Sequence, residues 1–314
     1  VNSQKLTAGL DEKGTVTAWR HRTAFPPIAS LFVPPVASFI VSPMRPAMRD
    51  LQQGVLDLGL SVKNVRAEAC EAKAHVRIGW LRSVYNVFHA FAEGSFIDEL
   101  AHARGVDPKA MWLELLGPPR KASLKELGIS GLDNYGESIE DHPVDVGRLR
   151  QVIERVTEQS GWATRKARGQ ALGLAAHRSF LSYVAVVVAV KEDALGRVRV
   201  SDAWISADAG KIVNADRVRS QMEGAVVFGI SHALYSGATM KGGVTQQSNF
   251  HDYRLARFPE VPRDIHVDLV PSQEKPGGVG EPGVPPVAPA IANAVFALTG
   301  TRVRALPLKD TVKV

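Results

Sequence analysis

The apolar and polar positions of this chain change period several times, and each change predicts an element. Residues 12–20 read as a turn followed by a strand leading into Trp19. A proline-broken apolar segment runs on to about residue 50. Residues 75–84 read as an extended approach to a helix over about 90–104, where Phe91, Phe96, Ile97 and Leu100 recur at helical spacing. Asp107-Pro108 predicts a further helix start, with Asp as the N-cap and Pro at the first position, where its missing N–H costs nothing. Residues 117–143, rich in Gly, Pro and charge, predict a loop or linker, and a helix over about 146–160 ends at Gly161. Residues 165–178 are basic and contain Gly, and read as a turn ahead of a sheet. The β-branched run 180–190 predicts a strand, and a turn at Leu195-Gly196 leads to a second strand over about 197–206, together a hairpin. There follow a helix over about 215–235, a short hairpin around Lys241-Gly242-Gly243 and an alternating strand over 265–270. A Gly/Pro loop over 275–286 then leads to an apolar helix over about 287–299, closed by Gly300. Strands and helices mix without regular βαβ alternation, which predicts an α+β fold of mixed sheets and packed helices, not a doubly wound sheet.

Composition narrows the class. The 314 residues predict about two domains, divided here as 1–145 and 146–314. An apolar fraction of 45% and a charged fraction of 22% are those of a globular chain. The net charge of +6 is scattered, with no long Lys/Arg run and no basic stripe interleaved with aromatics. That disfavours nucleic-acid binding and suits a solvated surface or docking onto an acidic partner. The single cysteine, Cys70, cannot form an internal disulfide, a Cys-ligated zinc site or an iron–sulfur cluster. The apolar stretch 26–41 is interrupted by prolines at 26, 27, 34 and 35 and lacks a small-residue cleavage site, so it does not read as a signal peptide. No apolar run reaches the length of a membrane span, and the expectation is a soluble protein, cytoplasmic or periplasmic.

Candidate chemistry concentrates in the run Lys275-Pro276-Gly277-Gly278-Val279-Gly280-Glu281-Pro282-Gly283. Gly278, Gly280 and Gly283 have dinucleotide-binding spacing, but Ser272 to Pro276 separate them from the preceding strand, and the stretch some 20 residues on reads Thr301-Arg302-Val303-Arg304, with no acid for a ribose. Glu281 instead stands as a lone carboxylate among glycines and prolines, which suits a stiff general-base platform or a solvated turn. Arg82, after Trp80, is a cation in an apolar run: a stabiliser of developing negative charge, or a structural ion pair. Asn214, Gln221 and Gly224 could contact a ligand through amides and backbone, or cap and pack a helix. His177, His232 and His251 lie singly and read as structural or surface residues, and Met222 and Met240 as packing.

Four stretches, in order, resemble the xanthine dehydrogenase and aldehyde oxidase superfamily, specifically the C-terminal part of a molybdopterin-binding large subunit of the isoquinoline 1-oxidoreductase β-subunit type. Gly79-Trp80-Leu81-Arg82-Ser83-Val84, with Ser95-Phe96-Ile97-Asp98-Glu99-Leu100-Ala101, resembles the arginine motif and its following helix. Asp208-Ala209-Gly210, Asn214, Gln221 and Glu223-Gly224 resemble the cofactor-proximal strand, loop and helix. Gln247-Ser248-Asn249-Phe250 with Asp252-Tyr253 is similar to the isoquinoline branch, and Gly280-Glu281-Pro282-Gly283 with Pro285-Pro286 to the Gly-Glu-Pro loop. The chain departs from the branch at Tyr85, at Glu93-Gly94 and at Ala209, which replaces a frequent Cys. The resemblance covers roughly 12–308. It implies Glu281 as the active-site base, Arg82 beside it, and cofactor contacts from Gly280, Asp208, Gly210, Asn214, Gln221 and Gly224, with no protein ligand to the metal. The implied cofactor is molybdenum–molybdopterin in its cytosine dinucleotide form. The implied reaction is hydroxylation of an N-heteroaromatic or an aldehyde with water as the oxygen source. Electrons would pass to [2Fe–2S] clusters on a separate small subunit, with a cytochrome c as one acceptor, in a bacterial assembly. An N-terminal part of the large subunit would complete the site. The rival reading is an inactive remnant that only binds a partner subunit; molybdenum content separates the two.

Overall fold

The computed structural model describes residues 2–28, 48–72, 78–165 and 169–314. Its centre is the apolar run after residue 180. Strand β7 (Ser182–Glu192) is buried on both faces from Ser182 to Val190. Val184, Val186, Val188 and Val190 belong to one core, and Tyr183, Ala185, Val187 and Ala189 to the other. A strand apolar at every position has to be covered on both sides, and its two-residue period divides the side chains between the covers. β7 pairs antiparallel with β6 (Gln170–Ser179) and with β8 (Val198–Asp208), and β8 pairs parallel with β11 (Ile265–Leu269), in the order β11-β8-β7-β6.

Helices complete the layers. α5 (Ala215–Leu234) and the apolar α6 (Val287–Thr299) lie on one face, where Met222, Val226 and Ile291 meet the valines of β7. α4 (Val146–Gln159) covers the other face with Leu149, Val152 and Val156. It is joined there by α2 (Asn86–Arg104) and α3 (Pro108–Leu116), so elements from both sides of the 145/146 division share one core. A second sheet holds β1 (Ser3–Leu10), β2 (Val16–Phe25) and β3 (Asn64–Glu71), with β2 antiparallel to β1 and parallel to β3. The remaining regular pieces are short: α1 (Met48–Gln52), the pair β4 (Lys121–Ala122) and β5 (Val144–Asp145), and the hairpin β9 (Met240–Lys241) and β10 (Val244–Thr245). The architecture is α+β. Among the described residues no helix is long and apolar enough to cross a membrane.

Several expectations need correction. Most of the stretch read as a turn over 165–178 is strand β6, and its residues 166–168 lie outside the described residues. Its small residues hide the strand from propensity, and packing explains them. A Cβ on Gly173 would fall 2.1 Å from the Ala290 carbonyl oxygen of α6, so only glycine permits this helix to lie against this strand. β1 and β3 carry no pattern that announces them, and α2 begins at Asn86, ahead of the expected start near residue 90. The departure Glu93-Gly94 also has a packing reason. A Cβ on Gly94 would be 2.9 Å from the Cβ of Pro289, so the glycine lets α2 close onto α6, and Asn293 secures the contact by donating to the Gly94 and Leu174 carbonyls. The proline-broken segment to about residue 50 falls largely on residues 29–47, and the approach over 75–84 partly on 73–77, both outside the described residues.

A buried polar cluster joins β2, α2 and β6. Glu93 meets His21 at 3.2 Å, His177 meets Asn86 at 3.0 Å, and His89 meets the Gln53 carbonyl at 3.0 Å. Asp57, accepting from Arg178, closes the cluster. Burial lowers the pKa of His89 to about 4, and burial with the charges of His89 and Arg178 lowers that of His177 to about 3. Burial and then the Asp57 charge hold Glu93 well above the usual carboxylate range. The unfolded chain protonates these histidines near pH 6.5, whereas the folded chain resists until pH falls to those lowered values. Their contribution is therefore present above pH 6.5 and lost on acidification, by up to about 1.4 kcal/mol per pH unit for each. Glu93 acts in the opposite sense, since its folded pKa is raised. The expected result is that His89→Gln, which keeps a donor towards Gln53, makes the melting temperature fall less steeply than in the wild type between pH 6.5 and 4. Parallel curves would show that His89 is not held neutral by the fold.

Candidate active site

The site is assembled from two loops and a turn. β8 and β11 run parallel, so the loops leaving their carboxyl ends emerge side by side. The first, residues 209–214, leads into α5, and the second spans 270–286. Gly210 has φ +70°, and a Cβ there would fall 2.2 Å from the Lys275 carbonyl oxygen. That close approach lets Lys211 N donate to Glu274 O at 2.9 Å and Gly277 N to Ala209 O at 2.9 Å. The β6–β7 turn adds a second support: Gly278 N donates to Phe180 O at 2.7 Å and Ser182 Oγ to Gly278 O at 2.6 Å. The loop is therefore pinned through its main chain on both sides before it reaches Glu281.

The third component is the turn that starts α2. Ser83 and Val84 have φ of +76° and +50°, an uncommon conformation for residues with side chains, costing about 1–3 kcal/mol each. This turn reaches the loop at three points. Arg82 Nε donates to Gly280 O at 2.7 Å, Ser83 N donates to Glu281 Oε1 at 3.0 Å, and Ser83 Oγ donates to Glu281 O at 2.7 Å. Arg82 Nη2 also donates to Gln221 Oε1 at 3.0 Å, and the guanidinium lies 6.0 Å from the centre of the Phe228 ring. Gln221, Gly224 and Phe228 recur at three- and four-residue spacing, so they form one stripe of α5 facing the turn. Partial burial lowers the pKa of Arg82 from its ordinary value, opposed by the nearby Glu281 charge; an arginine stays cationic under these conditions.

The sequence-derived candidates fall into two groups. Glu281, Gly280, Arg82 and Gln221 are brought into direct contact, with Gly224 one helical turn away. Asp208, Gly210 and Asn214 are not part of that cluster. Asp208 is buried, and its carboxylate accepts from Arg148 Nε at 2.8 Å, from Arg148 Nη2 at 2.6 Å and from Gly210 N at 3.0 Å. Its place is inside the turn it shapes. Asn214 is the N-cap of α5, its side chain accepting from Arg217 N at 3.0 Å, and it is exposed. Tyr85 lines a cavity of about 920 Å³ with Phe25, Phe88 and Phe91; neither Glu281 nor Arg82 borders it. Sequence reasoning missed Ser83 and Arg148. Ser83 stands beside the singled-out Arg82, but nothing in its type signals a positive φ or a partner 198 residues away.

The donors available suit a pterin group. A Cβ on Gly224 or Gly280 would meet no atom within 4 Å, so both present open backbone beside Arg82, Gln221 and Glu281. Among the described residues no set of three His, Cys, Asp or Glu side chains could hold a metal ion.

Residues 144–262 match the molybdopterin cofactor-binding domain family. The chain is 33% identical over 247 residues to the membrane-bound aldehyde dehydrogenase (pyrroloquinoline-quinone) of Gluconacetobacter polyoxogenes, a match covering 76% of this chain and 30% of that protein. It is 32% identical over 252 residues to isoquinoline 1-oxidoreductase subunit beta of Brevundimonas diminuta, covering 79% of this chain and 29% of that subunit. The fold matches that of quinoline 2-oxidoreductase from Pseudomonas putida 86 with a TM-score of 0.72 at 12% identity, over 98% of this chain and 61% of the other. The chain belongs to the xanthine dehydrogenase and aldehyde oxidase superfamily, among its molybdopterin-binding subunits of the isoquinoline 1-oxidoreductase β type. It spans about 30% of the length of the curated relatives it matches.

Proposed function

We propose that this chain is part of a molybdenum hydroxylase that oxidises an N-heteroaromatic or an aldehyde with water as the oxygen source. The observation that carries the reading is the Glu281 carboxylate, fixed through Oε1 beside the Arg82 guanidinium, which in turn bonds Gln221 of α5 within the stretch matched to the molybdopterin cofactor-binding domain. A bound molybdenum–pterin group, in the cytosine dinucleotide form, would supply the two-electron oxidation. Gln221, Gly224 and the Gly280 backbone would hold it, with Asn214 further along α5. Glu281 receives a proton at Oε2, which takes part in no hydrogen bond among the described residues. Arg82 keeps Nη1 without a hydrogen bond among the described residues and turns it towards negative charge developing on a substrate heteroatom. Asp208 and Gly210 act earlier, by holding the two loops together. In this reading 1–145 and 146–314 contribute to two cofactor-binding units, an N-terminal part of a large subunit completes the enclosure, and electrons leave to [2Fe–2S] clusters on a small subunit and on to an acceptor such as a cytochrome c. The experiment is metal and cofactor analysis of the purified native assembly. Molybdenum near one per copy of this chain is the expected result. A quinone in its place, or no cofactor in an intact assembly, would overturn the proposal in favour of quinone chemistry or of a remnant that only binds a partner.

A further inference from the structure

We propose that Ser83 is the positioning residue for Glu281 and thereby selects Oε2 as the oxygen that takes up the proton. The inference rests on the reading of Glu281 as the base.

The geometry is a two-point clamp. Ser83 holds the Glu281 carbonyl through Oγ at 2.7 Å and the Glu281 carboxylate through its own N–H at 3.0 Å. One bond fixes the main chain of the base, and the other fixes the rotation of its side chain. A main-chain N–H has no rotamer freedom, so its direction is set by backbone conformation. Ser83 adopts φ +76°, and Val84 follows at +50°. Two successive residues with side chains in this region require a surrounding structure that determines them. That support is visible. Ser83 is fully buried, Val84 N donates to Leu81 O at 3.0 Å, and Asn86 N donates to Ser83 O at 3.0 Å as α2 begins. Asn86 is itself buried and paired with His177 and Tyr135. The clamp is thus anchored in the core.

A serine at a helix start usually caps that helix. Ser83 does not: the N-terminus of α2 has no side-chain cap, and the hydroxyl donates instead to a residue 198 positions away. Its N–H is a charge-assisted donor that occupies Oε1. Oε2 receives no hydrogen bond among the described residues, so it remains the basic oxygen.

The test compares Ser83→Gly with the wild type in the native assembly, with and without cofactor. Glycine adopts positive φ freely and keeps the N–H, so the variant removes the hydroxyl bond and leaves the turn unstrained. In the cofactor-free assembly, amide exchange of Gly280, Glu281, Gly283 and Val284 should accelerate about 10-fold while the melting temperature holds. In the loaded assembly, kcat per molybdenum should fall about 10- to 100-fold through misplacement of the base, with KM unchanged. Ser83→Ala, which keeps the Cβ, should match the kcat loss and add a lower melting temperature. Unchanged loop exchange with more than half of the wild-type kcat overturns the proposal. So does a lower melting temperature with kcat retained, since Ser83 would then only close a turn. Glu281→Gln is run in parallel. If it keeps full turnover while Ser83→Gly still frees the loop, the base reading fails and takes the positioning role with it. If Glu281→Gln abolishes turnover and Ser83→Gly does not lower it, the base reading stands and only this inference fails.

Discussion

Glu281→Gln is expected to lower turnover per bound molybdenum by about 10²–10⁴-fold, the usual range for loss of a general base. The substitution keeps the length of the side chain and an amide oxygen that can still accept from Ser83 N, but it removes the basic Oε2. Glu281 is half-buried, and its carbonyl bond to Ser83 Oγ does not depend on the side chain. The loop should therefore keep its place, with cofactor content and melting temperature close to wild type. Steady-state turnover with molybdenum quantified in the same sample is the measurement. A variant that retains more than about a third of wild-type turnover, far short of the usual general-base loss, would remove Glu281 from the role of base.

Arg82→Met should lower kcat by about 10²–10³-fold, as expected for loss of one preorganised donor to developing charge. Arg82 does two things in this structure. Its Nε and Nη2 hold Gly280 O and Gln221 Oε1, and its charge faces Glu281. Methionine preserves much of the apolar stem but none of these donors, so some loosening of the loop accompanies the catalytic loss. Arg82→Lys separates the two. Lysine restores the charge without the planar fork that reaches Gly280 and Gln221 together. Partial recovery of kcat by lysine, with the loop still loosened, is the outcome expected of a charge that acts on substrate. If both variants melt early and keep their specific activity, Arg82 is a structural tie.

The resemblance to one superfamily was legible in short motifs, and so were the elements with local signals. α3 forms where Asp107-Pro108 predicts it, because the cap is a contact between near neighbours: Asp107 Oδ1 accepts from Lys109 N at 2.8 Å and Ala110 N at 3.2 Å. α6 ends at Gly300, in the left-handed conformation that glycine permits. β7 declares itself by its valine-rich run, buried without a break from Ser182 to Val190. β6 does not, because its glycine and alanines answer to α6, more than a hundred residues later in the chain. β1 and β3 form without a pattern of their own, through pairing with β2.

The candidate site divides in the same way. Glu281 and Arg82 could be singled out by type and setting, a lone acid among glycines and a lone cation in an apolar run. Their meeting could not, because it depends on how the α2 turn and the loop after β11 are carried to one place by the sheet and by close approaches at Gly173, Gly94 and Gly210. Asp208 and Asn214 show the converse. Their residue types allow a ligand contact or a structural one; the hydrogen bonds of Asp208 reach Arg148, 60 residues away, while the Asn214 side chain accepts within the first turn of α5. What the sequence determined by itself was carried by interactions within a few residues, such as caps, alternation and breaker residues. What only the tertiary structure decided was which groups meet across the chain and which oxygen of Glu281 accepts from Ser83, because those depend on strand register and backbone direction, set once the whole core has packed.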